Sequence, residues 1–423
     1  MSYLTFDKDQ LVNLEYSMNR EILRSNRAGS YISTTLNGCK TRKYHGLLVC
    51  PIEKFGGEKH VLISSLDASV IQNDSTFNLG IHRFKGGVYE PKGHKYIQHI
   101  EFGQIPAITY RVGGVKLKME RLLVERKQQV LVRYTLEEAQ SPVILRLKPF
   151  LAFRNIHSLS KANMWVNRKF TDTENGIIFN LYENYPNLFM QFCKEVEFIP
   201  VPDWYYNIEY LKELTRGYEY LEDLFVPGYF EFSIKKGESV IFAAGTERTK
   251  TNSLKQRFSK ELNKRSRGYT FMSLLKNASE QFIVHKNNEA DVIAGFPWYK
   301  SITRQTFIAL PGLCISIHDY KTCSSILQTY LNHLKNGLFP DALDDKETQH
   351  HSADAALWFI WAIQKSLKNL LPLSDIWEIY GEAIKEILKG YEKSVSGYFG
   401  MNKEGLIYAK KQNVALTWMN SYS

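Results

Sequence analysis

Aromatic and polar residues recur together in the connecting segments of the second half of this chain. GFPWYKSITRQ carries Trp298, Tyr299 and Arg304, FPDALDDKETQHH carries Asp341, Asp344, Asp345 and Glu347, and NVALTWMN carries Trp418 and Asn420. Flat aromatic faces beside hydrogen-bonding groups suit a sugar, which has an apolar ring face and a rim of hydroxyls. Any one tryptophan is most simply explained by core packing. Their return on successive connections is what points to a ligand. SADAALWFIWAI adds Asp354 on an otherwise apolar helix, with Trp358 one turn further on. Two readings of Asp354 stay open: Ser352 caps the helix and Asp354 sits in its first turn, favoured by the dipole, or Asp354 points into a polar cavity beside Trp358. The pair His350–His351 faces apart on a helix and lacks a third ligand nearby, so no metal is expected. In TRKYHGLL, Tyr44 and His45 read as hydrogen-bonding groups at a domain edge or as groups reaching toward a cavity.

These segments need elements to hold them. From about Thr270 the apolar period is 3.6. Expected helices are TFMSLLKNASEQFIV, TFIALPGLCISI, YKTCSSILQTYLNHLKN, SADAALWFIWAIQKSLKNL and DIWEIYGEAIKEILKGYEKS. SADAALWFIWAI is apolar nearly all round and should be buried. Antiparallel helix pairs imply an α-solenoid or a closed α/α toroid, and no fixed-period repeat favours a TPR- or ankyrin-like array.

Residues 1–245 read as β. In PAITYRVGGVKLKMERLL, period-2 alternation on both sides of Gly113-Gly114 predicts a hairpin with a tight primed turn. QQVLVRYTL, PVILRLKPFLAF, NGIIFNLYEN, NLFMQFC and GYFEFSIKKGESVIFAAGTE add strands, which together predict a large antiparallel sandwich. A helical insertion is expected over Tyr206–Leu224. SLKQRFSKELNKR predicts a basic linker helix within 246–269.

With 423 residues, the chain is long enough for two or three domains. The net charge of +10 is spread thinly, densest over Arg248–Arg267, and reads as a solvated face; no nucleic-acid partner is expected. No apolar run reaches the roughly 18 residues that span a bilayer, and MSYLTFDKDQ lacks the layout of a signal peptide. Five scattered cysteines without a C-x-x-C pair suggest reduced thiols and a cytoplasmic location.

The order and spacing of several segments resemble the glycogen debranching enzymes of the bacterial and archaeal single-activity type. They are RAGSYISTTLNGCKTRKYHGLLV, RNIH (Arg154–His157), WYYNIEYLKELTRGYEYLEDLFVPGYF, AGFPWY, TFIALPGL, SADAALWF and LTWMN, and they cover essentially the whole chain. The resemblance implies an α+β multidomain protein: an N-terminal antiparallel β-supersandwich (1–245), a basic linker helix (246–269) and the first part of an (α/α)6 barrel (270–423), left incomplete. It implies removal of α-1,6-linked glucose stubs from glycogen or limit dextrin by an inverting two-carboxylate mechanism, with no cofactor or metal. In such chemistry one carboxylic acid protonates the leaving oxygen and a carboxylate about 6.5–9.5 Å away activates water.

By the same resemblance, Trp298, Arg304, Gln305, Asp354, Trp358 and Trp418 contact substrate. Gln305 stands where the family carries a sugar-gripping Asp, and Asn420 where it carries the general acid. An amide bonds hydroxyls but cannot serve as that acid. The chain ends three residues after the LTWMN segment, so it is expected to be a fragment whose catalytic base lies beyond Ser423. Two alternatives remain: a non-catalytic α-glucan-binding protein on the same scaffold, and a glucoamylase- or trehalase-like α/α-barrel hydrolase.

Overall fold

The computed structural model describes residues 2–286, 289–315, 317–343, 349–367 and 371–419. The chain divides into two compact units, Met1–Gln281 and Phe282–Ser423.

The first unit is built on two antiparallel sheets. One has nine strands, running in the order Thr5–Asp7, Ile97–Phe102, Pro106–Val112, Val115–Leu123, Gln129–Glu138, Ser239–Gly245, Leu188–Phe192, Gly176–Phe179 and Phe170–Thr173. The other has twelve, with Glu58–Gln72 and Val143–Asn155 as its long central pair. The Gly113-Gly114 hairpin forms as its sequence predicts. Val112 pairs with Val115, and both glycines take positive φ (54° and 78°), the conformation a primed turn demands. Alternation divides the central strand Gln129–Glu138 between two cores. Val130, Val132, Tyr134 and Leu136 enter the large core, while Leu131 faces a smaller cluster with Leu122, Ile241 and Ala243.

Short helices α1 (Lys8–Val12), α2 (Leu14–Met18) and α3 (Leu211–Leu214) sit in the connections. Two expectations need correction here. The segment Tyr206–Leu224 is two paired strands, Asp203–Glu209 and Leu221–Val226, with only the four-residue α3 between them. The supposed linker helix is α4 (Leu254–Asn263), and it is part of the first unit. Its Leu254 and Phe258 complete the small cluster on the outer face of the nine-stranded sheet. Arg133 lies 4.3 Å above the Phe258 ring, and the Glu261 carboxylate accepts the Glu125 N–H at 3.0 Å. Helix α5 (Phe271–Glu280) closes the unit, capped by Thr270, so the unit runs past the expected boundaries at 245 and 269.

The second unit holds α6 (Thr303–Leu310), α7 (Tyr320–Leu331), α8 (Ala355–Leu367) and α9 (Leu373–Glu392), with hairpin strands Ile283–Lys286 paired to Glu289–Val292 and Phe399–Met401 paired to Ile407–Ala409. Residues Phe282–Val284 belong to a turn and the first hairpin, not to a longer α5 as the sequence predicts. Helix α6 runs into a π-turn at Pro311–Ile315. Phe307, Tyr330, Phe339, Phe359 and Tyr391 anchor the shared core. Helix α8 is less enclosed than its composition suggests. Ala356, Phe359, Ala362 and Ile363 are buried, but Leu357, Trp358, Ile360 and Trp361 remain half-buried. The fold is therefore a multi-sheet antiparallel β region followed by helices.

Candidate substrate site

Three segments of the second unit come together at the N-terminal ends of α6 and α8. Thr303, first residue of α6, donates its N–H to the Asp341 carbonyl (3.0 Å) and its hydroxyl to the Pro340 carbonyl (2.5 Å). Asp341 in turn accepts the backbone N–H groups of His351 and Ser352 at 2.9–3.1 Å. Ala353 donates its N–H to the Leu416 carbonyl (2.7 Å), and its own carbonyl accepts the Tyr391 hydroxyl (2.5 Å). The loop entering α8 is thus tied to α6, α9 and the segment carrying Trp418. Burial of these backbone groups requires such partners.

Side chains converge inside this frame. Arg304 Nε donates to Asp354 Oδ1 at 2.6 Å, and Arg304 Nη2 donates to the Ser352 hydroxyl at 2.7 Å. The Ser352 hydroxyl donates to Asp354 Oδ1 (3.2 Å), and the Trp358 indole N–H donates to Asp354 Oδ2 (3.3 Å). The Trp358 and Trp361 rings meet edge to face, centroids 5.3 Å apart. Asp354 is the residue just before α8, where its carbonyl accepts the Trp358 N–H. It is therefore at the helix start, and it also faces Trp358. Ser352 does not cap the helix; it bridges Arg304 and Asp354. That bridging role was not legible, because it depends on a contact 48 residues away in sequence.

Gln305, next on α6, presents a buried amide oxygen that meets no hydrogen-bond partner among the described residues. A buried acceptor of this kind calls for a donor such as water or a ligand hydroxyl. Trp298 follows a buried Phe296-Pro297 step and is 37% exposed; Trp418 is 71% exposed. Neither tryptophan is among the buried core residues. Asp341, expected at a cavity rim, has both oxygens engaged by backbone donors and acts as a brace. Asp344, Asp345, Glu347 and Asn420 lie outside the described residues. His350 is partly buried, and burial pushes its imidazole below the usual range. Among the described residues, no group of three or more His, Cys, Asp or Glu side chains is placed to hold a metal ion.

Residues of the TRKYHGLL segment hydrogen-bond within the first unit. His45 is fully buried, its Nδ1 accepts the Thr41 N–H (3.2 Å), and its Nε2 lies 3.5 Å from Glu21. Tyr44 meets His157 Nδ1 at 3.3 Å. Nearby, Arg154 of RNIH forms a buried ion pair with Glu222, and Tyr210 also bonds that carboxylate.

Comparison with protein families adds what geometry alone does not. Residues 20–241 match the profile described as glycogen debranching enzyme N terminal, and residues 277–423 match that described as amylo-alpha-1,6-glucosidase. The chain belongs to the glycogen debranching enzyme family. Its membership places it among glycoside hydrolase-like proteins. No curated protein matches its sequence. Among solved structures, a bacterial glucoamylase complexed with acarbose aligns at 10% identity and a TM-score of 0.45, over 89% of this chain and 58% of that one. A family GH92 α-mannosidase from Bacteroides thetaiotaomicron aligns at 11% identity and a TM-score of 0.28, over 84% and 60%. A heparan sulfate lyase from Pedobacter heparinus aligns at 12% identity and a TM-score of 0.26, over 54% and 37%. The chain thus spans 58% of the glucoamylase's length. Among the described residues, no helix is long and apolar enough to cross a membrane.

Proposed function

We propose that this chain is the sugar-gripping part of a glycoside hydrolase that removes α-1,6-linked glucose stubs from glycogen or limit dextrin. The observation that carries the reading is the Arg304–Ser352–Asp354–Trp358 cluster, supported by membership of the family. Asp354 accepts from Arg304 and Ser352 at Oδ1 and from Trp358 at Oδ2, and being 24% exposed it keeps lone pairs that can also accept sugar hydroxyls. Gln305 offers its buried amide oxygen to a further hydroxyl, and Trp298 and Trp418 supply exposed aromatic planes. Helices α6 to α9 are assigned to an (α/α)6 barrel. Asn420 takes the place of the general acid in an inverting mechanism, where a protonated carboxyl is required.

A second reading is favoured by two residues. Gln305 and Asn420 put amides where the family pattern has carboxylates. That change retains hydroxyl recognition and removes proton transfer, which suits an α-glucan-binding protein. Calorimetric titration with a branched limit dextrin, run beside a glucose-release assay, tests both. Binding with glucose release supports the hydrolase. Binding without release supports the glucan-binding reading. Absence of binding overturns both.

A further inference from the structure

The first unit holds a crevice between its two sheets with a composition unlike the surrounding core. It has a volume of about 60 Å³, and Lys40, Asp67, Tyr110, Arg121 and Tyr134 line it. By the same measure one water needs about 10–15 Å³, so the space accepts several waters or one small ion.

Its charges do not balance. Lys40 is 6% exposed, and its ammonium donates to the Thr34 hydroxyl at 2.9 Å. Arg121 Nη2 is buried and meets no acceptor, and the Tyr134 hydroxyl, on a side chain only 1% exposed, has no partner among the described residues. Asp67 is the acidic residue of the lining, and its Oδ2 is taken by His82 Nε2 at 2.7 Å. Ser65 donates toward its Oδ1 at 3.3 Å. Two cations therefore face one carboxylate that is already engaged.

We propose that this crevice is a binding site for a small inorganic oxyanion of the phosphate or sulfate class, gripped by Lys40, Arg121 and Tyr134. Such an ion accepts several hydrogen bonds at once and offsets the charge. Water can satisfy the donors but does not offset the like charges of Lys40 and Arg121, so without an anion the buried ammonium gives up its proton more readily. The electrostatics agree. Burial first, and then the neighbouring Arg121, press the Lys40 ammonium down to about 7, and burial lowers Arg121 as well. The site is on a different unit from the sugar cluster and stands independently of the proposed function.

The test uses the full chain in chloride buffer, titrated calorimetrically with inorganic phosphate and, separately, with glucose 6-phosphate. Saturable one-site binding of inorganic phosphate is expected, not reproduced by chloride at equal ionic strength. The small volume predicts that glucose 6-phosphate binds at least tenfold more weakly. Arg121→Met should abolish binding, and Tyr134→Phe, which keeps the ring and removes the hydroxyl, should weaken it several-fold. If Arg121→Met fails to fold, Lys40→Met and Tyr134→Phe carry the test. No saturable heat with the wild type, or full affinity retained in Tyr134→Phe together with either methionine variant, overturns the site. Tighter binding of glucose 6-phosphate overturns the assignment to a bare ion.

Discussion

Arg304 and Asp354, fifty residues apart in the chain, meet at 2.6 Å and join the first turn of α6 to the start of α8. Their side chains are 11% and 24% exposed, so the pair is neither fully dry nor freely solvated. Removing the guanidinium leaves Asp354 with Ser352 and Trp358 alone. Arg304→Met is expected to cost about 1.5–3 kcal/mol of affinity for limit dextrin, the range of a hydrogen bond to a charged group. Arg304→Lys should recover only part of this, because an ammonium cannot bond Asp354 and Ser352 with the same fork. Titration calorimetry of both variants checks the order. Equal binding by wild type and Arg304→Met would remove the pair from the site.

On the proposed function, Asn420 stands where the general acid is expected. If its position is that of the acid, Asn420→Asp restores a group that protonates the leaving oxygen. With the partner base also present, glucose release should then rise about 10²–10⁴-fold, the usual contribution of general acid–base catalysis, with dextrin affinity nearly unchanged. A rise in affinity without a rise in release would assign Asn420 to binding.

The sequence shows most of the strand content because alternation and turn chemistry agree, as in the hairpin about Gly113-Gly114. It misleads over Tyr206–Leu224 for a local reason. Between Tyr205 and Ile208 the strand register shifts, with Asn207 at φ 56°. The bulge breaks alternation, and Ile208, Leu211 and Leu214, each three residues apart, imitate a helical face although only Leu211–Leu214 is helical. Helix α4 misleads differently, since Lys255, Arg257 and Lys260 mask a narrow stripe of Leu254 and Phe258. In the site, the types of Arg304, Asp354 and Trp358 are legible, and the adjacency of Asp354 and Trp358 follows from helical spacing. The clasp of Asp341 on residues 351 and 352 is not, because nothing in a single sequence specifies a loop's backbone partners.

Arg154 and Glu222 form the most enclosed ion pair of the first unit's RNIH region, 5% and 0% exposed. Arg154 also donates to the Lys43 carbonyl (2.7 Å), and Glu222 accepts from the Ser160 N–H (2.9 Å). Burial opposes the Arg154 charge, but Glu222 outweighs it and holds the guanidinium firmly protonated. Arg154→Met strands a buried carboxylate and should cost about 3–5 kcal/mol in denaturant unfolding. Changing Arg154→Met and Glu222→Leu together should recover a large part of that loss. A double variant no more stable than Arg154→Met would show that the pair is not the source.

Acid should destabilise the chain through its buried imidazoles. Burial lowers His45, His60 and His94 from the ordinary 6.5. As pH falls through 6.5 the unfolded chain takes up these protons and the folded chain does not. Stability therefore drops on acidification, by at most about 1.4 kcal/mol per pH unit for each such histidine. Glu21 extends the trend downward. Burial opposes its ionisation, yet His45 and Arg42 prevail and hold it at about 2, against 4.5 in the unfolded chain. Its contribution is complete above 4.5 and is lost as pH falls toward 2, so both effects have the same sign. Melting temperatures measured between pH 7 and pH 5 should fall steadily. His94→Gln should flatten the slope, because the amide replaces a buried ring whose Nδ1 has no partner among the described residues. A wild-type melting temperature that holds level or rises between pH 7 and pH 5 would mean that these imidazoles are charged in the folded chain as readily as in the unfolded one.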